Sequence, residues 1–173
     1  MILFLVGYAG SGKSTLGRHL ARRLSCQVVD TDKRVEQMVG ASVADIFHYE
    51  GEEYFRQAER EALESALSSG DTLIISTGGG LPTWRDNMEW MNGVGVTIYL
   101  KRTPEQILSR LSAYGREKRP MFRGKSDEEL LEFMREQMAM REEYYAKSKI
   151  SIDCTSMSDD AAVEYIANIV TNL

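Results

Sequence analysis

Gly7-Tyr8-Ala9-Gly10-Ser11-Gly12-Lys13-Ser14-Thr15 decides the fold of this chain. It follows directly on the apolar run Ile2–Val6 and leads into the helical pattern Leu16, His19, Leu20, Arg23, Leu24. A strand, a loop of the form G-x-x-x-x-G-K-S and a helix are therefore predicted in succession. In that setting glycines let backbone N–H groups turn inward around phosphate oxygens, and the helix N-terminus adds partial positive charge. Gly10, Ser11, Gly12, Lys13, Ser14 and Thr15 are the candidate triphosphate-binding residues. Lys13 can reach the β- and γ-phosphates, and the Ser14 hydroxyl is placed to ligate Mg²⁺. A glycine-rich turn with no ligand would not require loop, strand and helix to agree in this way.

Outward from the loop, short apolar runs alternate with longer segments of helical period. Strands are predicted over 27–29, 72–76, 94–100 and 149–153, and helices over 13–25, 33–68, 84–91, 104–111, 126–146 and 158–170. The last two begin with Ser-Asp, which can cap a helix N-terminus. Nearly continuous apolar strands separated by helices imply βαβ units and an α/β fold with a five-stranded parallel sheet covered on both faces. Strand order cannot be read from this pattern.

The chain has 173 residues, 43% of them hydrophobic, which suits a single domain spanning 1–173 and excludes a disordered or collagen-like chain. Its net charge of -5 makes it a poor generic binder of nucleic acid or membrane, since both require a positive field. Any anion must be met by a local cluster among the 21 lysines and arginines. Cys26 and Cys154, with His19 and His48, are too scattered for a zinc site and read as free thiols in a reducing cytosol. Ile2–Val6 is short and lacks the basic leader of a signal peptide, and no run approaches the ~18 apolar residues of a membrane span. A soluble, cytoplasmic monomer acting on small molecules is expected.

A phosphate loop alone does not separate a motor, a GTPase and a small-molecule kinase. No Asn-Lys-x-Asp element is present to read guanine, and the third strand ends in Ser76-Thr77-Gly78-Gly79-Gly80 rather than an Asp-Glu pair. Size and glycine turn favour phosphoryl transfer to a small acceptor. Asp30 and Asp32 close the second strand at the crevice where α/β proteins place ligands, and strand alternation puts both carboxylates on one side. One can orient Mg²⁺ through its water shell while the other accepts from an acceptor hydroxyl. Either aspartate alone is equally consistent with a helix N-cap.

These residues resemble the shikimate kinase family over nearly the whole chain. The motifs, in the family's order, are Gly7–Thr15 as 7–15, Asp30-Thr31-Asp32, Phe55-Arg56-Gln57-Ala58-Glu59, Gly78-Gly79-Gly80, Arg119-Pro120 and Arg141-Glu142-Glu143-Tyr144. The resemblance implies a P-loop NTPase-type three-layer sandwich with a mobile lid near 112–125 and a substrate-binding helical region near 32–62. It implies ATP-dependent transfer to the 3-hydroxyl of shikimate, with Mg²⁺ held by Ser14 and, through water, Asp30. Asp32, Arg56, Gly78, Gly79, Gly80 and Arg141 would bind shikimate. Lys13, Asp32 and Arg119 would be catalytic, with Arg110 and Arg119 on the nucleotide.

The chemistry of the ligand agrees with that assignment. Shikimate carries one carboxylate and three hydroxyls. Arg56 and Arg141 can form bidentate carboxylate bonds that lysine cannot copy. Glycine amides let a ligand approach closely, and Asp32 would hold the hydroxyls and help the attacking one lose its proton. Without the resemblance, Arg56 would read as an ordinary i,i+3 and i,i+4 partner of neighbouring glutamates and Arg141, with Glu136 and Glu142 nearby, as a solvated face residue; Arg18, Arg22 and Arg60 are left on the surface. The segment 114–125 carries five cations and one anion, and Gly115 and Gly124 near its ends are candidate hinges for a lid that excludes water.

Three departures from the family stand out. Met121-Phe122 replaces two leucines after Arg-Pro in a slightly long lid, 153–157 supplies no cation for the adenine, and Glu142-Glu143 replaces a proline. Gluconate kinase is the nearest rival reading, followed by another small-metabolite kinase or a nucleoside monophosphate kinase. A silent nucleotide-binding regulator is the rival from another class, and intact Lys13, Ser14, Asp30 and Asp32 speak against it.

Overall fold

The computed structural model describes residues 1–67 and 72–173. Strands β1 (Ile2–Val6), β2 (Gln27–Asp30), β3 (Leu73–Ser76), β4 (Val96–Lys101) and β5 (Ile150–Asp153) form one sheet in the order β2-β3-β1-β4-β5. Every pairing is parallel, with Phe4 of β1 opposite Ile75 of β3 and Thr97 of β4. β1 is central, and Leu3, Phe4, Leu5 and Val6 are wholly buried because helices cover both faces. Alternation along β1 divides the core. Leu3 and Leu5 pack with Leu16 and Leu20 of α1 (Lys13–Arg23) and with Ala162 and Ile166 of α9 (Asp159–Thr171). Phe4 and Val6 face the opposite layer of α4 (Gly51–Ala66), α5 (Asn87–Val94) and α8 (Asp127–Tyr145).

The predicted helix over 33–68 is three helices, α2 (Thr31–Val39), α3 (Val43–Tyr49) and α4; Ser68 lies outside the described residues. Gly40 ends α2 because it takes φ 76°, where a side chain would be strained, and its N–H donates to Glu36 O at 2.9 Å. Ser42 then caps α3 by accepting from Asp45 N at 3.1 Å. Val35, Ile46, Phe55, Ala58 and Ala62 give these helices a small core of their own beside the sheet. The helix predicted from 84 starts at Asn87 instead, since Leu81–Thr83 forms a 3₁₀ turn and Arg85 sits at φ 49°. That helix runs on to Val94, so β4 begins two residues later than 94.

The segment 112–125 is largely structured. It contains α7 (Ala113–Glu117) and a 3₁₀ turn, Pro120–Phe122, and follows α6 (Pro104–Arg110). Gly115 lies inside α7 rather than at a hinge, while Gly124 adopts φ 71°. Ser126 and Glu129 form a reciprocal capping box that opens α8. Arg60 corrects a surface assignment: it stacks 4.5 Å from the Trp90 ring and donates to Asn87 Oδ1 at 2.7 Å, tying α4 to α5. Cys154 is buried and Cys26 half-buried, both free. Among the described residues no helix is long and apolar enough to cross a membrane.

Because Leu5 is a fully buried residue of the central strand, Leu5→Ala should lower stability by about 3 kcal/mol, read from urea unfolding midpoints. A loss below about 1 kcal/mol would contradict this placement of the core.

Candidate active site

The C-terminal ends of β1, β2 and β3 open into a cleft of about 300 Å³. Its floor is the loop after β1, where Gly10 and Gly12 take φ 83° and 97°, values glycine tolerates, so the amides can face a ligand. The Lys13 ammonium donates to Gly7 O and Tyr8 O, each at 2.8 Å, and is buried. Burial pulls its pKa down to about 7; Arg119 and Arg141 add to the shift, while Asp32 and Asp30 oppose it. Ser14 Oγ donates to Asp30 Oδ2 at 2.5 Å. Asp30 also accepts from Lys33 N at 3.3 Å as the N-cap of α2. It is therefore both the cap and a site residue.

β2 ends at Asp30, so Asp32 stands in the first turn of α2 and not on the strand. The alternation argument for the aspartate pair therefore fails, yet both residues line the cleft because a helical turn brings position 32 back toward the sheet. Burial and then Asp30 push the Asp32 carboxyl up to about 6, against the pull of Lys13, Arg56 and Arg119. Gly78 explains the neighbouring glycine. A Cβ there would stand 2.8 Å from Asp32 Oδ1 and collide with Glu59 Oε1. At Gly79 a Cβ would meet Ala9 N at 2.9 Å, and at Gly80 it would strike the Arg56 guanidinium. Thr31 Oγ1 accepts from Gly78 N at 2.8 Å, and Tyr145 Oη donates to Gly79 O at 2.6 Å.

Arg56 is buried behind this turn, paired with Glu59 one helical turn on and with Glu52 at 3.4 Å. Burial raises the Glu59 carboxyl to about 7, with Arg56 opposing and Asp32 adding. The contact from Arg56 Nη1 to Glu59 Oε2 holds the guanidinium beside Gly80. Arg119 donates to Gly115 O at 2.7 Å and lines the cleft opposite the loop, its pKa lowered by burial. Arg110 lines the same cleft. Arg141 lies 5.7 Å above the Tyr8 ring, beside a neighbouring hollow that also includes Gln137 and Tyr144. Among the described residues it pairs with no carboxylate.

Gly10, Gly12, Lys13, Ser14, Thr15, Asp30, Asp32, Gly78, Gly79, Arg110 and Arg119 thus share one cleft. Ser11 is buried beneath it, and Gly80, Arg56 and Arg141 flank it. Sequence reasoning assigned no part to Glu59, Thr31 or Tyr8. Only Glu59 carried a signal, its i,i+3 spacing from Arg56. Tyr8 is buried, stacks on Phe122 at 6.3 Å and donates through its hydroxyl to Gln137.

A parallel sheet whose central strand feeds a phosphate loop, facing a carboxylate and several converging cations, defines a phosphate-loop kinase. Comparison with known proteins narrows the class. The sequence model described as shikimate kinase matches residues 9–171. A shikimate kinase of Parabacteroides distasonis is 39% identical over 99% of this chain and 98% of its own. The 1.7 Å crystal structure of shikimate kinase from Bacteroides thetaiotaomicron superposes with a TM-score of 0.90 at 30% identity, covering 99% of this chain and 98% of that one. The Acinetobacter baumannii enzyme in complex with shikimate gives 0.87 at 30% identity, covering 99% and 93%. The chain belongs to the shikimate kinase family. A deoxyadenosine kinase from M. mycoides, 16% identical with a TM-score of 0.65, shares the fold.

An anionic phosphate beside Lys13 favours its charged form, reversing the effect of burial. ADP binding at pH 8 should therefore take up most of one proton, since a group titrating near 7 is about nine-tenths neutral there. Calorimetry in buffers of different ionisation enthalpy measures the uptake, which Lys13→Met should abolish. Binding without uptake would contradict the lowered pKa.

Proposed function

We propose that this chain transfers the γ-phosphate of ATP to the 3-hydroxyl of shikimate. The observation that carries the reading is the placement of Asp32 between two sets of cations. Lys13 and Arg119 line the cleft with it, Arg56 stands beside Gly80, and Arg141 lies over the Tyr8 ring. An anionic donor and a carboxylated polyol need that arrangement. Lys13, the loop amides and Arg119 would stabilise charge on the transferring group. Arg141, which forms no ion pair among the described residues, is available for the acceptor's carboxylate, and Arg56 is held by Glu59 beside Gly80. Asp32 would accept a hydrogen bond from the attacking hydroxyl and take its proton as the new O–P bond forms and the bridging bond from the γ-phosphorus to ADP breaks, with ADP leaving. Its raised pKa makes it a better proton acceptor than an ordinary carboxylate near neutral pH.

Mg²⁺ fits the donors present. Ser14 Oγ and Asp30 Oδ2 are hard oxygens 2.5 Å apart at the edge of the cleft, Ser14 as a direct ligand and Asp30 through water. When bound, the ion would neutralise charge on the β- and γ-phosphates.

ADP release should be measured with ATP·Mg²⁺ against shikimate, gluconate and nucleoside monophosphates in parallel. Turnover is expected with shikimate; turnover with gluconate and not shikimate would overturn the proposal. Arg141→Ala should raise the KM for shikimate on the order of tenfold or more, because a charge-assisted bidentate contact is lost. The KM for ATP should change far less. An unchanged shikimate KM would remove Arg141 from the carboxylate site.

The Asp32 shift sets the pH profile. Raising an acid's pKa extends its protonated form to higher pH, so kcat/KM for shikimate should fall as pH drops through about 6. Asp32→Asn should lose this limb along with most of the activity. A wild-type limb near the usual carboxylate range, about 4, would contradict the raised pKa of Asp32.

A further inference from the structure

The segment 153–157 brings no cation to the nucleotide end of the cleft, yet a buried arginine lies directly beneath it. Arg102 follows β4, and its side chain is 3% exposed. Each of its three guanidinium nitrogens donates a hydrogen bond. Nε donates to Ser11 O at 3.0 Å, Nη1 to Cys154 O at 3.1 Å and Nη2 to Asp159 Oδ1 at 3.1 Å. One side chain thus joins the phosphate loop, the end of β5 and the start of α9. Asp159 is shared. Arg110 Nη2 donates to both of its carboxylate oxygens at 2.9 Å. This places Arg110 at the mouth of the cleft, where a Cβ on Gly12 would be 3.3 Å from Nη2.

We infer that Asp159 is a positioning residue for the nucleotide, bracing Arg110 against the phosphate loop in a chain Arg102–Asp159–Arg110. The inference rests on Arg110, which lines the cleft, contacting the nucleotide as the family resemblance implies. A free arginine carries large rotamer freedom that a ligand must remove on binding. Asp159 removes it beforehand, so the planar guanidinium is presented already ordered. Arg102 keeps Asp159 itself in place and ties it to the carbonyl of Ser11, so brace and loop move together. In this chain an acidic residue at the head of α9 does work on the nucleotide that a basic residue in 153–157 does not supply.

The sign of the effect separates positioning from simple charge. Removing a carboxylate near a phosphate site by electrostatics alone tightens an anion; losing the brace weakens it. ADP binding should be titrated calorimetrically for wild type, Asp159→Asn, Arg110→Ala and the double variant. Asp159→Asn is expected to weaken ADP about five- to tenfold, the scale of one partly exposed charge-assisted contact. Asp159→Glu should recover part of that loss. In the Arg110→Ala background Asp159→Asn should change ADP affinity by less than about twofold, because the brace then holds nothing. The shikimate KM at saturating ATP should not move. Unchanged or tighter ADP binding by Asp159→Asn overturns the inference, as does equal weakening in both backgrounds. If Asp159→Asn strands the buried Arg102 and fails to fold, the cycle is run in an Arg102→Met background with Arg102→Met itself as the reference, so that the loss of the Ser11 contact cancels and the same expectations apply. Arg110→Ala with wild-type affinity would overturn the contact assigned to Arg110 and the brace with it. A wild type that binds ADP but does not phosphorylate shikimate would overturn the proposed function and leave the brace standing.

Discussion

The carbonyls of Gly7 and Tyr8 hold a buried Lys13 ammonium at 2.8 Å each, and the protein around it is arranged to make that charge tolerable. An ammonium taken out of water loses several kcal/mol of solvation unless dipoles and opposite charges replace it. The loop carbonyls supply dipoles, and Asp30 and Asp32 supply charge. Asp32 is itself half-buried and depends on Lys13, Arg56 and Arg119 in return. Arg119 and Arg141 act in the other direction on Lys13, as like charges brought close. Cations crowded in this way are held at a disadvantage that a polyanion relieves, and transition-state charge on a transferring phosphoryl group relieves it further. The acidic chain therefore carries its positive field locally, which its net charge of -5 conceals.

Much of this was legible in local sequence because the phosphate loop is a local device. Gly7 to Thr15 specify strand end, turn and helix start through neighbours in the chain, and the structure places β1 and α1 as read. The parallel sheet was legible for a similar reason, since strands covered on both faces are apolar throughout. Strand order was not, because it depends on which helices cross which face. Nor could the pattern show that 33–68 breaks twice. Gly40 looks like any helical glycine until its φ of 76° is known, and helical periodicity simply continues past it. The Asp30 and Asp32 pair shows a right answer reached for the wrong reason. Both reach the cleft, but through a strand-to-helix junction instead of strand alternation.

Several residues satisfy the ordinary structural reading and the site reading together. Asp30 caps α2 and bonds to Ser14. Arg56 makes the i,i+3 and i,i+4 pairs that any helix of this composition would make, yet its partner Glu59 is buried against Gly78 instead of lying in solvent. What distinguishes them is burial, which one-dimensional spacing does not report. A surface pair of this kind contributes little, whereas a buried one leaves a costly unpaired charge when either member is removed. Glu59 could therefore be seen as a partner for Arg56 in the sequence, but its role in orienting that guanidinium emerges only from the collision a Cβ on Gly78 or Gly80 would cause.

The departures from the family pattern acquire reasons in the same terms. Phe122, where a leucine is usual, is buried and stacks on Tyr8 of the phosphate loop, so the foot of the 112–125 segment and the loop share one aromatic contact. Glu142 stands in the stretch where the family has a proline. It accepts from Tyr99 Oη at 2.6 Å and pairs with Lys101 at 3.3 Å, binding α8 to β4. A proline there would remove a backbone donor and disturb the preceding turn. Without it α8 continues unbroken to Tyr145, keeping Arg141 and Tyr145 four residues apart on one helix. Tyr145 is anchored to Gly79 O and packs 5.1 Å from Tyr99, while Arg141 lies over Tyr8. The C-terminal part of α8 is thus anchored to the glycine turn by Tyr145 and, one turn earlier, places Arg141 over the phosphate loop, so one stretch of helix contacts both.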